Sequence, residues 1–267
     1  MPYMTIFSPM LDTRPLFPEE RSELLELLRS LSVADWSRAT VCPGWDVHDV
    51  VGHVLNDCLR RLSGSRDHFT GAVFANNETL PSYLARSNDE FVRGARQCSP
   101  PVMIDLLAHL GPQLDQMWAT TDLAAPAHLD VSWAGPDTSP AWLDIAREYT
   151  EYWVHQQQIR DAVDRPGADR ARLLHPVIDT FLRGLPHSLR AHPRPEGTTV
   201  RFTVSGAAGG HWCVARHDGR WRMRRQATAV LRQRKSRWAK TICGAWPPGA
   251  SPQPKAAAAR SCTVTPR

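Results

Sequence analysis

No lysine precedes residue 235 and no acidic residue follows Asp218 in this 267-residue chain. Residues 220–267 carry 12 of the 32 basic side chains and none of the 27 acids, which leaves residues 1–219 with 20 bases against 27 acids, a net charge of −7. The overall +5 therefore belongs to one end. A basic body built for specific nucleic-acid binding is excluded, and an arginine-rich tail without patterning supports only nonspecific contact. No window approaches twenty apolar residues, and the start, MPYMTIFSPMLDTRPLFPEE, has no basic leader before an apolar core. Neither a membrane span nor a signal peptide is expected, and the cytoplasm is the expected compartment. The six cysteines (Cys42, Cys58, Cys98, Cys213, Cys243, Cys262) include no C-x-x-C pair, which argues against a zinc knuckle and a disulfide framework and predicts reduced thiols. There is no G-x-S-x-G element and no internal repeat. Gly206 to Gly210 lack a P-loop lysine and sit between strand-like runs, which reads as a hairpin turn.

What is present is mostly helical. Leu24, Leu25, Leu27, Leu28 and Leu31 recur at helical spacing after Pro18, predicting a first helix over 17–31. Asp46 caps a second over 46–62, with Val47, Val50, Val51, Val54, Leu55 and Leu59 on its apolar face. Weaker patterns cover 80–96 and 101–118, residues 122–140 read as loop, and a helix over 170–189 is interrupted by Pro176 and Pro186. The period then changes to two, and 198–204, 211–215 and 220–223 predict a small β-meander with a turn at Asp218-Gly219. The boundaries are a helical bundle over 17–166, a linker helix and meander over 170–225, and a disordered, low-complexity basic tail over 226–267. The abrupt loss of acids and the concentration of lysine there are the signature expected of a shifted reading frame.

The helix expected between Pro140 and Ala162, with Ser139 as its cap, carries the chemistry. Glu151 and His155 lie one turn apart on one face, a spacing at which two Lewis bases grip one ion. A third ligand is needed, and His53, set in the otherwise apolar second helix, is the best candidate. Asp144 and Glu148 extend the same stripe. Glu148 either replaces Glu151 as a ligand or supports a ligating histidine from behind. Burying the stripe without a cation would be costly; the plain alternative is that it faces water. Cys42, just ahead of the second helix, is either a packed residue or a thiol activated by the helix dipole.

Residues 36–54, WSRATVCPGWDVHDVVGHV, resemble the W-x-x-x-T-x-C-P-G-W-x-V-x-D-V-x-x-H opening of the mycothiol-dependent maleylpyruvate isomerase family. Glu151 to Ala162 resembles its second motif, E-x-x-x-H-x-x-D-I-R-x-A, with Gln158 where an aspartate commonly stands. The resemblance spans about residues 17–225. It implies a mainly α fold, a DinB-like four-helix bundle followed by a small, incomplete α/β domain of sterol-carrier type. It places the metal ligands on His53, Glu151 and His155, and implies zinc and mycothiol as cofactors and an electrophilic small molecule as substrate. A thiol deprotonated by the metal would add to a conjugated double bond and leave again after rotation, or be transferred outright. The architecture expected is an up-down bundle with a three-ligand site in its core. A metal-binding regulatory or stress protein without catalysis and a general metallohydrolase are the competing readings.

Overall fold

The computed structural model describes residues 3–4, 9–129, 138–224 and 265–266. Helix α1 (Phe17–Arg29) has Pro18 in its first turn with Glu19 and Glu20 at the positive end of the dipole. After the single turn α2 (Val33–Trp36), α3 (Val47–Arg61) opens on a capping box. Asp46 accepts from the Asp49 N–H at 2.9 Å, and Asp49 accepts from the Asp46 N–H at 3.3 Å. Helices α4 (Leu80–Ala95), α5 (Pro100–Thr120) and α6 (Ala141–Ala162) follow. Pro140, and not Ser139, occupies the N-cap of α6, and no side chain caps it.

Side-chain partners fix the helix directions. Phe17 packs on Tyr149 and Tyr152, Glu20 meets Gln156 and Glu23 meets Arg160, so α1 and α6 run parallel. Arg21 pairs with Asp115 and Phe17 approaches Trp118, so α5 runs against α1. Arg61 bonds Asp144 and Glu148 while His53 meets His155, so α3 opposes α6. The expected alternation of up and down is thereby corrected: α1 and α6 point one way, α3 and α5 the other. The reason is α4, which returns along α3 through Arg96–Asp49 and Asn56–Asn88, delivering the chain back to the end from which α3 began. Helices α1, α3, α5 and α6 enclose one core that includes Leu28, Val50, Met103, Leu114 and Tyr149. This is a DinB-like four-helix bundle.

Beyond the bundle, α7 (Ala171–Arg183) packs on α6, and the Tyr149 hydroxyl donates to the Leu173 carbonyl at 3.0 Å. The expected helix breaks at Gly184, with Pro186 in the first turn of α8 (Leu185–Ser188), whereas Pro176 sits inside α7 without ending it. The small sheet is antiparallel, in the order β1 (Tyr3–Met4), β4 (Arg220–Arg224), β3 (Gly210–His217), β2 (Thr199–Val204), β5 (Thr265–Pro266). The three central strands are the expected meander; the outer two are two-residue additions. Asp218 and Gly219 both take positive φ (51° and 67°), the backbone a tight hairpin requires. Leu182, Phe202, Trp212, Val214 and Trp221 form a second core under α7 and α8. Among the described residues no helix is long and apolar enough to cross a membrane. The disorder expected over 226–267 lies outside the described residues, apart from Thr265 and Pro266, which pair with Arg201 and Val200.

One buried acid inside the α1–α6 contact has a readable pH signature. Glu20 Oε1 accepts from Gln156 Nε2 at 2.8 Å, and burial pushes its carboxyl up to about 8. The unfolded chain ionises near 4.5, so between that value and about 8 the folded state holds the extra proton, and stability falls as pH rises through the window. The loss is on the order of a few kcal/mol at 1.36 kcal/mol per pKa unit. Glu20→Gln keeps the acceptor and should flatten melting temperature against pH across this range. An unchanged slope would show that Glu20 is not its source.

Candidate metal centre

Helices α3 and α6 face each other along a polar seam. On α3 it runs His53, Asp57, Arg61; on α6, in the opposite direction, it runs His155, Glu151, Glu148, Asp144. Each set repeats at three or four residues, so it occupies one helix face. The seam divides into two halves with different chemistry.

At the Arg61 end the guanidinium, itself buried, bonds Asp144 at 2.7 and 2.9 Å and Glu148 Oε2 at 2.8 and 2.9 Å, and lies 5.6 Å over the Trp118 ring. Arg147 adds a bond to Asp144 at 2.8 Å. Burial alone would push the Asp144 carboxyl up; the charges of Arg61 and Arg147 outweigh it and hold it down at about 2. The cation demanded by the lower part of the acidic stripe is thus an arginine. Glu148, expected as an alternative ligand or as a histidine's support, is committed to Arg61 instead, while its Oε1 has no hydrogen-bond partner.

At the other end, among the described residues, Arg60 reaches Asp57 at 3.4 Å and no arginine pairs with Glu151. His53, Glu151 and His155 each offer a donor atom, all within 4.8 Å of one another. The histidine rings meet edge to face with centroids 4.6 Å apart, and Trp45 closes over His53 at 5.4 Å. His53 is 3% exposed and His155 0%, whereas the Glu151 and Asp57 side chains keep 19% and 17%, so the seam opens on its carboxylates. Asp57, not singled out by sequence, lies 3.5 Å from His53 Nε2, as Glu151 does from His155 Nε2. The same four-residue spacing that nominated Glu151 and His155 applies to His53 and Asp57. His155 Nδ1 is 2.8 Å from Gln158 Oε1, to which the Cys42 thiol donates at 3.1 Å. Burial pushes that thiol up to about 11, which removes the reading of Cys42 as an activated thiolate.

Three buried nitrogens here, both of His53 and Nε2 of His155, make no hydrogen bond. Burial pushes the His53 imidazole down toward its neutral form. Burial presses the same way on His155, but the facing Glu151 outweighs it and raises the group; the reciprocal attraction holds Glu151 below its usual range against burial. A protonated His155 would answer Glu151 and a protonated His53 would answer Asp57 through Nε2, yet His53 Nδ1 would still lack a partner. One divalent ion answers all three residues, so the donor set fits a metal. The second possible group, Glu196, His217 and Asp218, lies exposed at the hairpin, with His217 already 3.0 Å from Glu196. A cavity of about 20 Å³ beside Cys58 and Tyr152 touches none of the three residues of the centre.

Residues 17–160 match the sequence model described as the mycothiol maleylpyruvate isomerase N-terminal domain, a span that includes Cys42, His53, Glu151, His155 and Gln158. The chain belongs to that family. Two solved structures, the mycothiol-dependent maleylpyruvate isomerase and a single-residue mutant of it, are similar at 17% and 16% identity. Each alignment covers 73% of this chain and 77% of theirs, with a TM-score of 0.49. No curated protein matches the chain.

Proposed function

We propose that His53, Glu151 and His155 bind one divalent metal ion, zinc by its donor set, and that the protein uses it with mycothiol to act on an electrophilic small molecule. The reaction is a cis–trans isomerisation of the maleylpyruvate type or an S-transfer. The observation that carries this reading is the buried trio of unpartnered nitrogens beside a carboxylate in the bundle core. When bound, the ion supplies Lewis acidity that lowers the pKa of a thiol reaching the open position.

The chain's own residues do the rest. His53 and His155 present lone pairs from two helices, Glu151 offsets positive charge, and Trp45 with the bundle core excludes water from the histidine side. Access comes from the half-open carboxylate side, where Asp57 and Glu151 stand. The thiolate sulfur adds to one carbon of a conjugated double bond, the resulting single bond rotates, and elimination restores both thiol and double bond, so no oxidant or reductant is consumed. The cytoplasm, where such a thiol is kept reduced, is the compartment this chemistry calls for, and Cys42, Cys58, Cys98 and Cys213 are all free.

Asp57 favours a second reading. A second carboxylate 3.5 Å from His53 Nε2 would close the coordination sphere if it swung onto the ion, giving a non-catalytic metal-binding protein. Metal analysis with a turnover assay separates the two: the expected result is one equivalent of metal and turnover only when mycothiol is added. Metal without thiol-dependent turnover on maleylpyruvate or on thiol acceptors would select the second reading. A protein that binds no divalent metal would sink both.

A further inference from the structure

Gln158 holds the position where relatives commonly have an aspartate, and its surroundings give the amide a specific task. Its Oε1 is 2.8 Å from His155 Nδ1 and 3.1 Å from the Cys42 sulfur, and all three side chains are buried. The two contacts are not independent. A buried thiol carries a hydrogen that needs an acceptor, and it meets the amide oxygen at 3.1 Å. With that oxygen turned to Cys42, the same oxygen faces His155, and a carbonyl oxygen only accepts. The ring nitrogen opposite it must therefore carry the proton. In the neutral imidazole the lone pair is then left on Nε2, on the side of Glu151 and His53.

We propose that Gln158 is the positioning residue of His155, its amide oxygen shared between the ring and the Cys42 thiol, so that Nδ1 keeps the proton and Nε2 is the bare, ligating nitrogen. Cys42 sits on the Pro43-Gly44 turn, 116 residues from Gln158, and Trp45 on that same turn packs against His53. The turn thus reaches both histidines, one directly and one through the amide. A neutral amide orients the ring without adding negative charge behind it.

The functional meaning rests on the metal reading above, whereas the proton placement does not, and the test separates them. The full chain and its Gln158→Leu, Cys42→Ala and Cys42→Ser variants would be compared in two measurements. The first is the nitrogen-15 signature of His155, recorded metal-free in alkaline buffer. The second is Zn(II) affinity by competition with a chromophoric chelator. The expected result is an Nδ1–H ring in the wild type and a shift toward Nε2–H in Gln158→Leu, with metal affinity lower by about 10 to 100-fold. Cys42→Ala should show the same change in smaller measure, and Cys42→Ser, which restores a donor, should recover it. A Gln158→Leu protein that keeps the Nδ1–H ring overturns the inference. If the wild type binds no Zn(II), the metal reading fails and the nitrogen signature alone decides this one.

Discussion

Arg61→Ala is expected to destabilise the protein by roughly 3 to 5 kcal/mol, the range for removing one partner from a buried ion pair. Arg61 makes four bonds to two buried carboxylates with almost no water contact, whereas Arg147 hydrogen-bonds Asp144 and stands 3.8 Å from Glu148. Without Arg61, Glu148 loses both of its hydrogen bonds and keeps only the 3.8 Å approach of Arg147 to offset its buried charge. Adding Glu148→Gln to Arg61→Ala should therefore recover part of the loss, although each change alone removes bonds. The acid limb gives a second check. Asp144 is held at about 2 against a usual 3.8, so its contribution is present above 3.8 and is lost as pH falls toward 2; the Arg61 variant should be markedly less sensitive there. Equilibrium urea unfolding measures both. A cost below about 1 kcal/mol, the level of an exposed ion pair, would mean the seam is wetter than its burial indicates.

His155→Ala should abolish stoichiometric metal binding and thiol-dependent turnover together. It removes the donor with no solvent exposure and leaves His53 and Glu151, a pair too small for tight binding; the loss should exceed the roughly 10 to 100-fold seen when only an outer partner is removed. A metal bound there would tie helices about a hundred residues apart, so its binding energy would be linked to folding, about 2.7 kcal/mol when free metal is 100 times Kd. A chelator should accordingly lower the melting temperature of the wild type and have no effect on His155→Ala. His48→Ala is the control: His48 Nε2 meets the Cys98 carbonyl at 2.9 Å and its ring lies against Trp36, away from the seam. If His155→Ala keeps a full equivalent of metal and its chelator sensitivity, the ligand assignment is wrong.

The parts of this fold governed by neighbours in sequence were legible before any coordinates. Asp46 announced α3, Asp218-Gly219 announced the hairpin, and the four-residue spacing of Glu151 and His155 put two donors on one face. What escaped depends on partners brought in by tertiary structure. Nothing near Asp144 or Glu148 in sequence points to Arg61, 83 and 87 residues away, so half the acidic stripe was read as waiting for a metal that an arginine replaces. Gln158 read as the loss of a carboxylate because its oxygen gains meaning only when Cys42 arrives from the turn ahead of α3. The helix directions were missed because α4 returns along α3, and periodicity reports which face of a helix is buried without saying which way it runs.

The division of the seam into an arginine half and a histidine half also sets the register of the two helices. Two purely apolar helix faces can slide by one turn at small cost, since one aliphatic contact replaces another. Here a one-turn slide of α6 past α3 would carry Glu148 or Asp144 away from Arg61, leaving buried charge unanswered, and would separate His53 from His155. Alternative packings of the bundle are thereby penalised through charge, and the apolar core is free to be packed for density alone.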